Sequence, residues 1–129
     1  MMLAKTQVAP SGIHGMGLFA VEFIPRGTPI WRFQPGFDQE FTPEQFDRLP
    51  PEAQAHLHWF AFFSRENGRA ILSGDHACFM NHASQPNTGA LPEAALAITT
   101  VALREIAAGE EITCDYYAFD AKAAAKLGS

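Results

Sequence analysis

A short pattern recurs in this chain and limits what it can fold into. Ala20-Val21-Glu22-Phe23-Ile24-Pro25-Arg26-Gly27-Thr28-Pro29-Ile30 and Ala102-Leu103-Arg104-Glu105-Ile106-Ala107-Ala108-Gly109-Glu110-Glu111-Ile112 both read Ala-aliphatic-x-x-Ile-x-x-Gly-x-x-Ile. Each copy reads as a strand, a turn fixed by glycine, and a second strand. Such units favour a fold of short β-strands. The echo has two readings: an internal duplication, or the same turn chemistry used twice.

A different texture lies between the copies. Thr42-Pro43-Glu44-Gln45 resembles a helix start, with Thr as N-cap, Pro at the first helical position and Gln closing a capping box. Phe46 and Leu49 give that helix an apolar face, and Pro50-Pro51 stops it. A second short helix is expected from Glu52 toward Phe63. Its Leu57, Trp59, Phe60, Phe62 and Phe63 are too dense for one stripe, so the run is expected in the core. Glu66-Asn67-Gly68-Arg69 predicts a hairpin turn, with Ala70-Ile71-Leu72 as the strand after it. Ala95 to Leu103, rich in Ile, Thr and Val, predicts another strand. Ala121 to Ser129 is Ala/Lys-rich and reads as a frayed helix or a disordered end. No linker-like composition interrupts the chain. The expectation is one mainly β domain over 1–129, with a core at about 8–119 and a tail at 120–129.

Composition narrows the function. At 129 residues and 47% hydrophobic, the chain can bury a real core. A formal charge of -5 argues against a nucleic-acid backbone binder. The apolar runs are too short to span a bilayer, and no signal-peptide pattern opens the chain. A cytoplasmic protein without membrane or nucleic-acid partners is expected. Cys78 and Cys114 read as small buried thiols, since two cysteines make neither a disulfide framework nor a four-ligand zinc site.

Three segments carry possible chemistry. Gly12-Ile13-His14-Gly15-Met16-Gly17-Leu18-Phe19-Ala20 reads as a tight turn that lets backbone approach something closely. A strand-like run follows it, so it is not a dinucleotide-binding turn. In Met80-Asn81-His82-Ala83-Ser84-Gln85-Pro86-Asn87, a polar pair follows apolar residues and would be costly to bury without partners. Gly109 to Tyr116 ends a strand-like run in Asp115-Tyr116. On a strand, Ile112, Cys114 and Tyr116 would share one face and Asp115 would take the other.

In order and spacing, these segments resemble the motifs of the SET-domain protein lysine methyltransferases, from about Val8 to about Phe119. The resemblance implies a β-clip, SET-like fold: several short sheets, a small helical insert, and a C-terminal pseudoknot in which the last segment threads beneath an earlier loop. Local patterns do not encode such threading. The implied activity is methyl transfer from S-adenosylmethionine (SAM) to a lysine of a protein substrate. By resemblance, the backbone of His14, Gly15, Met16 and Gly17 cradles the cofactor's amino-acid end. Asn81 and His82 contact it, and Tyr116 is the catalytic residue. Phe119, with Tyr117 and Trp31 as further candidates, supplies an aromatic ring near the sulfonium or adenine. Cys114 stands where many members carry Phe or Tyr, so the channel would admit more than one methyl. Phe33 stands where a channel Tyr is common. Ala83-Ser84 replaces the usual Ser-Cys, so no zinc is expected.

Three other readings compete. One is a catalytically weak SET-like module that binds SAM or a protein. Another is a metal-dependent hydrolase using His56, His58, Asp75, His76 and His82, whose spacing matches no familiar site. The last is an interaction domain with an aromatic patch at Trp59 to Phe63.

Overall fold

The two echoing segments pair with each other. In a computed structural model, which describes residues 1–90 and 99–127, Ile24 N donates to Ile106 O (2.8 Å) and Ile106 N to Ile24 O (2.9 Å). Gly27 N donates to Ala102 O and Gly109 N to Ala20 O, both at 2.8 Å. The two glycines have φ of 84° and 85°, a left-handed backbone that glycine adopts without penalty. Equivalent positions thus make equivalent bonds, and each turn holds the other. Six of the nine buried residues in the larger core cluster belong to the echo: Ala20, Ile24, Ile30, Ala102, Ile106 and Ile112.

Around this pairing the chain forms β1 (Thr6–Pro10), β2 (Met16–Ala20), β3 (Pro29–Arg32), β4 (Gln39–Phe41), α1 (Pro43–Asp47), α2 (Pro51–Phe60), β5 (Phe62–Phe63) and β6 (Ala70–Leu72). A 3-10 turn (His76–Phe79), β7 (Asn81–His82), β8 (Thr88–Gly89), β9 (Thr99–Ala102), β10 (Glu111–Cys114), α3 (Tyr116–Phe119) and α4 (Ala123–Leu127) follow. The strands form three small sheets, ordered β1-β2-β10-β7, β3-β9-β8 and β4-β6-β5. This is the expected mainly β architecture of several short sheets with few helices. No helix among the described residues is long and apolar enough to cross a membrane.

The C-terminal crossing appears as β10 set between β2 and β7. It runs antiparallel to β2, with Ile112 opposite Leu18, and parallel to β7, with Thr113 opposite Asn81 and Cys114 opposite His82. The segment after β7 also grips β10: Ala83 N donates to Cys114 O (3.0 Å) and Thr88 Oγ1 to Thr113 O (2.6 Å).

The helical insert follows its local signals. Thr42 Oγ1 accepts from Gln45 N (3.1 Å), and Thr42 N donates to Gln45 Oε1 (2.9 Å), completing the capping box. Gly68 takes φ 71° in the hairpin turn between β5 and β6. Two expectations need correction. α2 stops at Phe60, because Ala61 turns extended and Phe62–Phe63 pair with Ile71 and Ala70. The aromatic run is only partly core. Leu57 and Ala61, one helical turn apart, face the sheet with Phe63, whereas Trp59 (68% exposed) and Phe60 (40%) point elsewhere.

The end of the chain also differs from expectation. Residues 120–127 dock rather than fray. Ala121 N donates to Phe63 O (2.8 Å), Ala123 is fully buried, and buried Asp120 accepts from Phe63 N (3.0 Å) and Lys122 N (2.9 Å). Lys126 Nζ donates to Asp120 Oδ2 (2.6 Å) and to Ala61 O. Of the strand expected from Ala95, Thr99–Ala102 is present, while residues 95–98 lie outside the described residues.

Candidate functional site

Tyr116 is placed by a cap rather than by a strand. The apolar β10 buries Ile112, Thr113 and Cys114. Asp115 then accepts from Tyr117 N (3.0 Å) and opens α3 as its N-cap. Tyr116 is therefore the first residue of a helical turn and does not continue the face of Ile112 and Cys114. The role of Asp115 is structural, exercised through the cap.

Three consecutive residues then fix the surroundings of Tyr116. The Tyr116 hydroxyl donates to Met80 O (2.7 Å). Tyr116 N donates to His82 Nδ1 (3.1 Å), so Nδ1 is an acceptor and the ring proton of a neutral His82 sits on Nε2. Between them, Asn81 Nδ2 donates to His14 O (3.0 Å), Met16 O (3.2 Å) and Glu111 Oε2 (2.9 Å). The turn is closed by Ser11 N donating to Gly15 O (2.8 Å), with Gly15 at φ 47°. The structure thus gathers His14, Gly15, Met16, Gly17 and Asn81 in one cluster and joins it through His82 to Tyr116.

Rings surround this junction. Tyr117 packs edge-on to His82 (5.5 Å between centroids) and Phe119 edge-on to Tyr116 (6.1 Å). Burial, with help from neighbouring Cys114, Asp120 and Cys78, raises the Tyr116 pKa well above its ordinary value. Cys114 is pushed up to about 12, first by burial and then by the carboxylates of Asp115 and Asp120. Both are therefore neutral groups at physiological pH.

A cavity of about 700 Å³ opens on Tyr116, with Trp31, Trp59, Phe60, Cys114 and Phe119 among its walls. Neither Asn81, His82 nor the turn at residues 14–17 lines it. Tyr116 is thus common to two distinct environments: the polar turn cluster and a largely apolar cavity. Thr99 Oγ1, on the cavity wall, is buried without a hydrogen-bond partner among the described residues.

Other sequence candidates fall outside this junction. Phe33 lies beyond β3 and does not line the cavity; Trp31 does so instead. A register shift between Pro29 and Trp31 buries Ile30 and Trp31 in succession, which breaks the simple alternation. Trp31 donates Nε1 to Ser73 Oγ (3.0 Å), which also lines the cavity. His56 and His58 pack against Phe60 and Phe63, His76 bonds Thr6 Oγ1, and Asp75 caps the 3-10 turn. No three His, Cys, Asp or Glu among the described residues are grouped to hold a metal ion. Met80 and Glu111 were missed as site residues. Met80 acts through its carbonyl, which no side-chain pattern reveals, and Glu111 through a contact distant in sequence.

Comparison with known proteins gives a consistent family. A sequence-family model described as the SET domain matches residues 15–117. A Plasmodium falciparum (isolate 3D7) protein that carries the name of a histone-lysine N-methyltransferase is 28% identical over 116 residues, 87% of this chain. The chain spans only 2% of that protein's length. Among solved structures, a Plasmodium falciparum protein named as a histone methyltransferase superposes with a TM-score of 0.58 at 17% identity, covering 89% of this chain and 95% of the other. A humanized mutant of the Chaetomium thermophilum Polycomb Repressive Complex 2, bound to the inhibitor GSK126, gives 0.67 at 21% identity, covering 95% and 16%. At these identities the two structures speak for the fold.

Proposed function

Because the chain belongs to the SET-domain family, we propose that it transfers a methyl group from SAM to a lysine side chain of a protein substrate. The observation that carries this reading is the convergence of Met80, Asn81 and His82 on Tyr116 and the glycine turn.

The turn cluster suits the amino-acid end of SAM. The carbonyls of His14 and Met16 and the Glu111 carboxylate converge on Asn81 Nδ2, and their remaining lone pairs favour an ammonium nearby. A Cβ at Gly12 or Gly15 would meet nothing within 4 Å, so the backbone there is open to a close neighbour. When bound, SAM supplies a methyl group already activated on a sulfonium.

The protein's task is then positioning and exclusion of water. Tyr116 acts as a neutral hydroxyl. Its proton is committed to Met80 O, which leaves the oxygen lone pairs for weak C–H···O contact with a polarised methyl. The raised Tyr116 pKa argues against a phenolate base. The attacking lysine must instead lose its proton to solvent, helped by desolvation against Trp31, Cys114 and Phe119. Cys114 leaves more room than a ring would, which supports addition of more than one methyl. Trp59 and Phe60 give the cavity an exposed aromatic rim suited to a protein substrate. Thr99 Oγ1 is a polar group that the substrate backbone can satisfy.

Calorimetric titration with SAM, paired with transfer of tritium from methyl-labelled SAM into host lysate proteins, tests the reading. Binding and labelled lysines are expected, with one-, two- and three-methyl products resolved by mass spectrometry. Absence of SAM binding by folded protein overturns the proposal. Binding without transfer to any protein replaces it with a SAM-binding module.

A further inference from the structure

The second glycine of the turn is reserved for a carboxylate. Gly17 lies on β2, the middle strand between β1 and β10, and its φ is not left-handed. Backbone conformation therefore does not demand glycine there. A Cβ at position 17, however, would stand 2.4 Å from Glu111 Oε2 and 3.0 Å from Ser11 Cβ. Glu111, on β10, reaches across β2 through this gap. Both carboxylate oxygens accept from Ser11 Oγ (2.8 Å each), and Oε2 also accepts from Asn81 Nδ2 (2.9 Å). Ser11 Oγ in turn accepts from Ile13 N (2.9 Å) inside the turn.

We propose that Glu111 is a positioning residue that clamps both flanks of the glycine turn and Asn81, and that Gly17 is glycine to let its side chain pass. Glu111 stands five residues before Tyr116 on the same β10-to-α3 segment. One side chain thus ties the turn to the segment that carries Tyr116. The proposal rests on the SAM-dependent reading for its functional consequence, but the clamp itself does not need the cofactor.

A double-mutant cycle on the full chain tests it, read by thermal melting without cofactor and by calorimetry with S-adenosylhomocysteine. Gly17→Ala alone displaces the carboxylate. It should lower Tm by about 3–6 °C and weaken binding by roughly tenfold or more. Glu111→Ala should do similar damage, and Gly17→Ala/Glu111→Ala should do clearly less than the sum of the two, because only the tight contact with Ser11 Cβ remains. Glu111→Gln keeps the size and one acceptor. It should recover part of the binding, and KM for SAM should change while KM for peptide does not. Additive damage in the double variant, or equal changes in both KM values, overturns the clamp. A melting cycle that shows coupling in a protein that binds no S-adenosylhomocysteine upholds the clamp and overturns only the SAM reading.

Discussion

The pH dependence of the proposed methyl transfer gives a worked test of how Tyr116 and a substrate lysine divide the proton chemistry. A free lysine has a pKa of about 10.4, so its neutral fraction rises roughly tenfold per pH unit, or about a hundredfold from pH 7 to 9. Tyr116 adds no inflection in this range, because burial above all, then Cys114, Asp120 and Cys78, holds its hydroxyl protonated. kcat/KM, which reports the free enzyme and free substrate, should therefore climb with a log slope near one up to about pH 9. The lysine's own pKa sets the upper limit, because above it the neutral fraction stops rising. Cys114 moves from an ordinary value of 9.0 to about 12, chiefly by burial. A raised pKa makes the group's contribution to stability complete below the ordinary value and loses it as pH rises toward the folded one. By pH 10 the loss is about 1 kcal/mol. The profile should bend over near the lysine pKa, while the Cys114 loss shows only as a fall in Tm of a protein that stays folded. The assay is tritium transfer from methyl-labelled SAM to a pool of lysine-containing peptides, with circular dichroism at each pH. A flat profile from pH 7 to 9 in folded protein would refute the neutral-amine argument. A rise that vanishes in Tyr116→Phe would show that the tyrosine acts as a base.

Three further outcomes follow from the same contacts. Tyr116→Phe removes the bond to Met80 O (2.7 Å); transfer should fall by about a hundredfold, while calorimetry shows unchanged SAM affinity and Tm drops by only about 3–6 °C. Trp59→Ala removes a side chain that is 68% exposed, so melting should stay put while steady-state KM for protein substrate rises about tenfold. Lys126→Met strands the buried Asp120 carboxylate and should cost about 3–5 kcal/mol in urea denaturation. Lys126→Met/Asp120→Asn should recover much of that loss.

Local chemistry made some of this structure legible in the sequence. The capping box at Thr42 and Gln45 and the hairpin turn at Gly68 are written in adjacent residues, and each forms as written. The echo was visible as a pattern, but that its copies pair with one another was not, because pairing is a contact between residues more than seventy positions apart. Tyr116 looked like the end of a strand because Ile112 and Cys114 alternate correctly. Capping by Asp115 wins there, since its carboxylate satisfies an amide that the strand would have left to a neighbour. Trp59 and Phe60 looked like core because hydrophobicity says nothing about which helix face meets the sheet. Their exposure beside the cavity is a departure from local patterning of the kind that functional surfaces produce.

The spacing inside the Asn81-to-Asn87 segment has a physical reason that joins the fold to the site. β7 and β10 share only two paired positions, too short a ladder to hold register alone. Asn87, 1% exposed, completes it with a side chain. Its Oδ1 accepts from Thr113 N (2.8 Å), its Nδ2 donates to Glu111 O (2.8 Å), and its backbone N donates to Thr113 Oγ1 (3.1 Å). An amide side chain thus does what a neighbouring strand's peptide group would do. Register matters here because Met80, Asn81 and His82 grip three different things in succession: a hydroxyl, a turn and an amide. A slip of one residue would exchange a carbonyl, an amide side chain and an imidazole among those partners, and none could substitute for another. Asn87 therefore acts on Tyr116 without touching it, by fixing the strand from which the helical turn of Tyr116 departs.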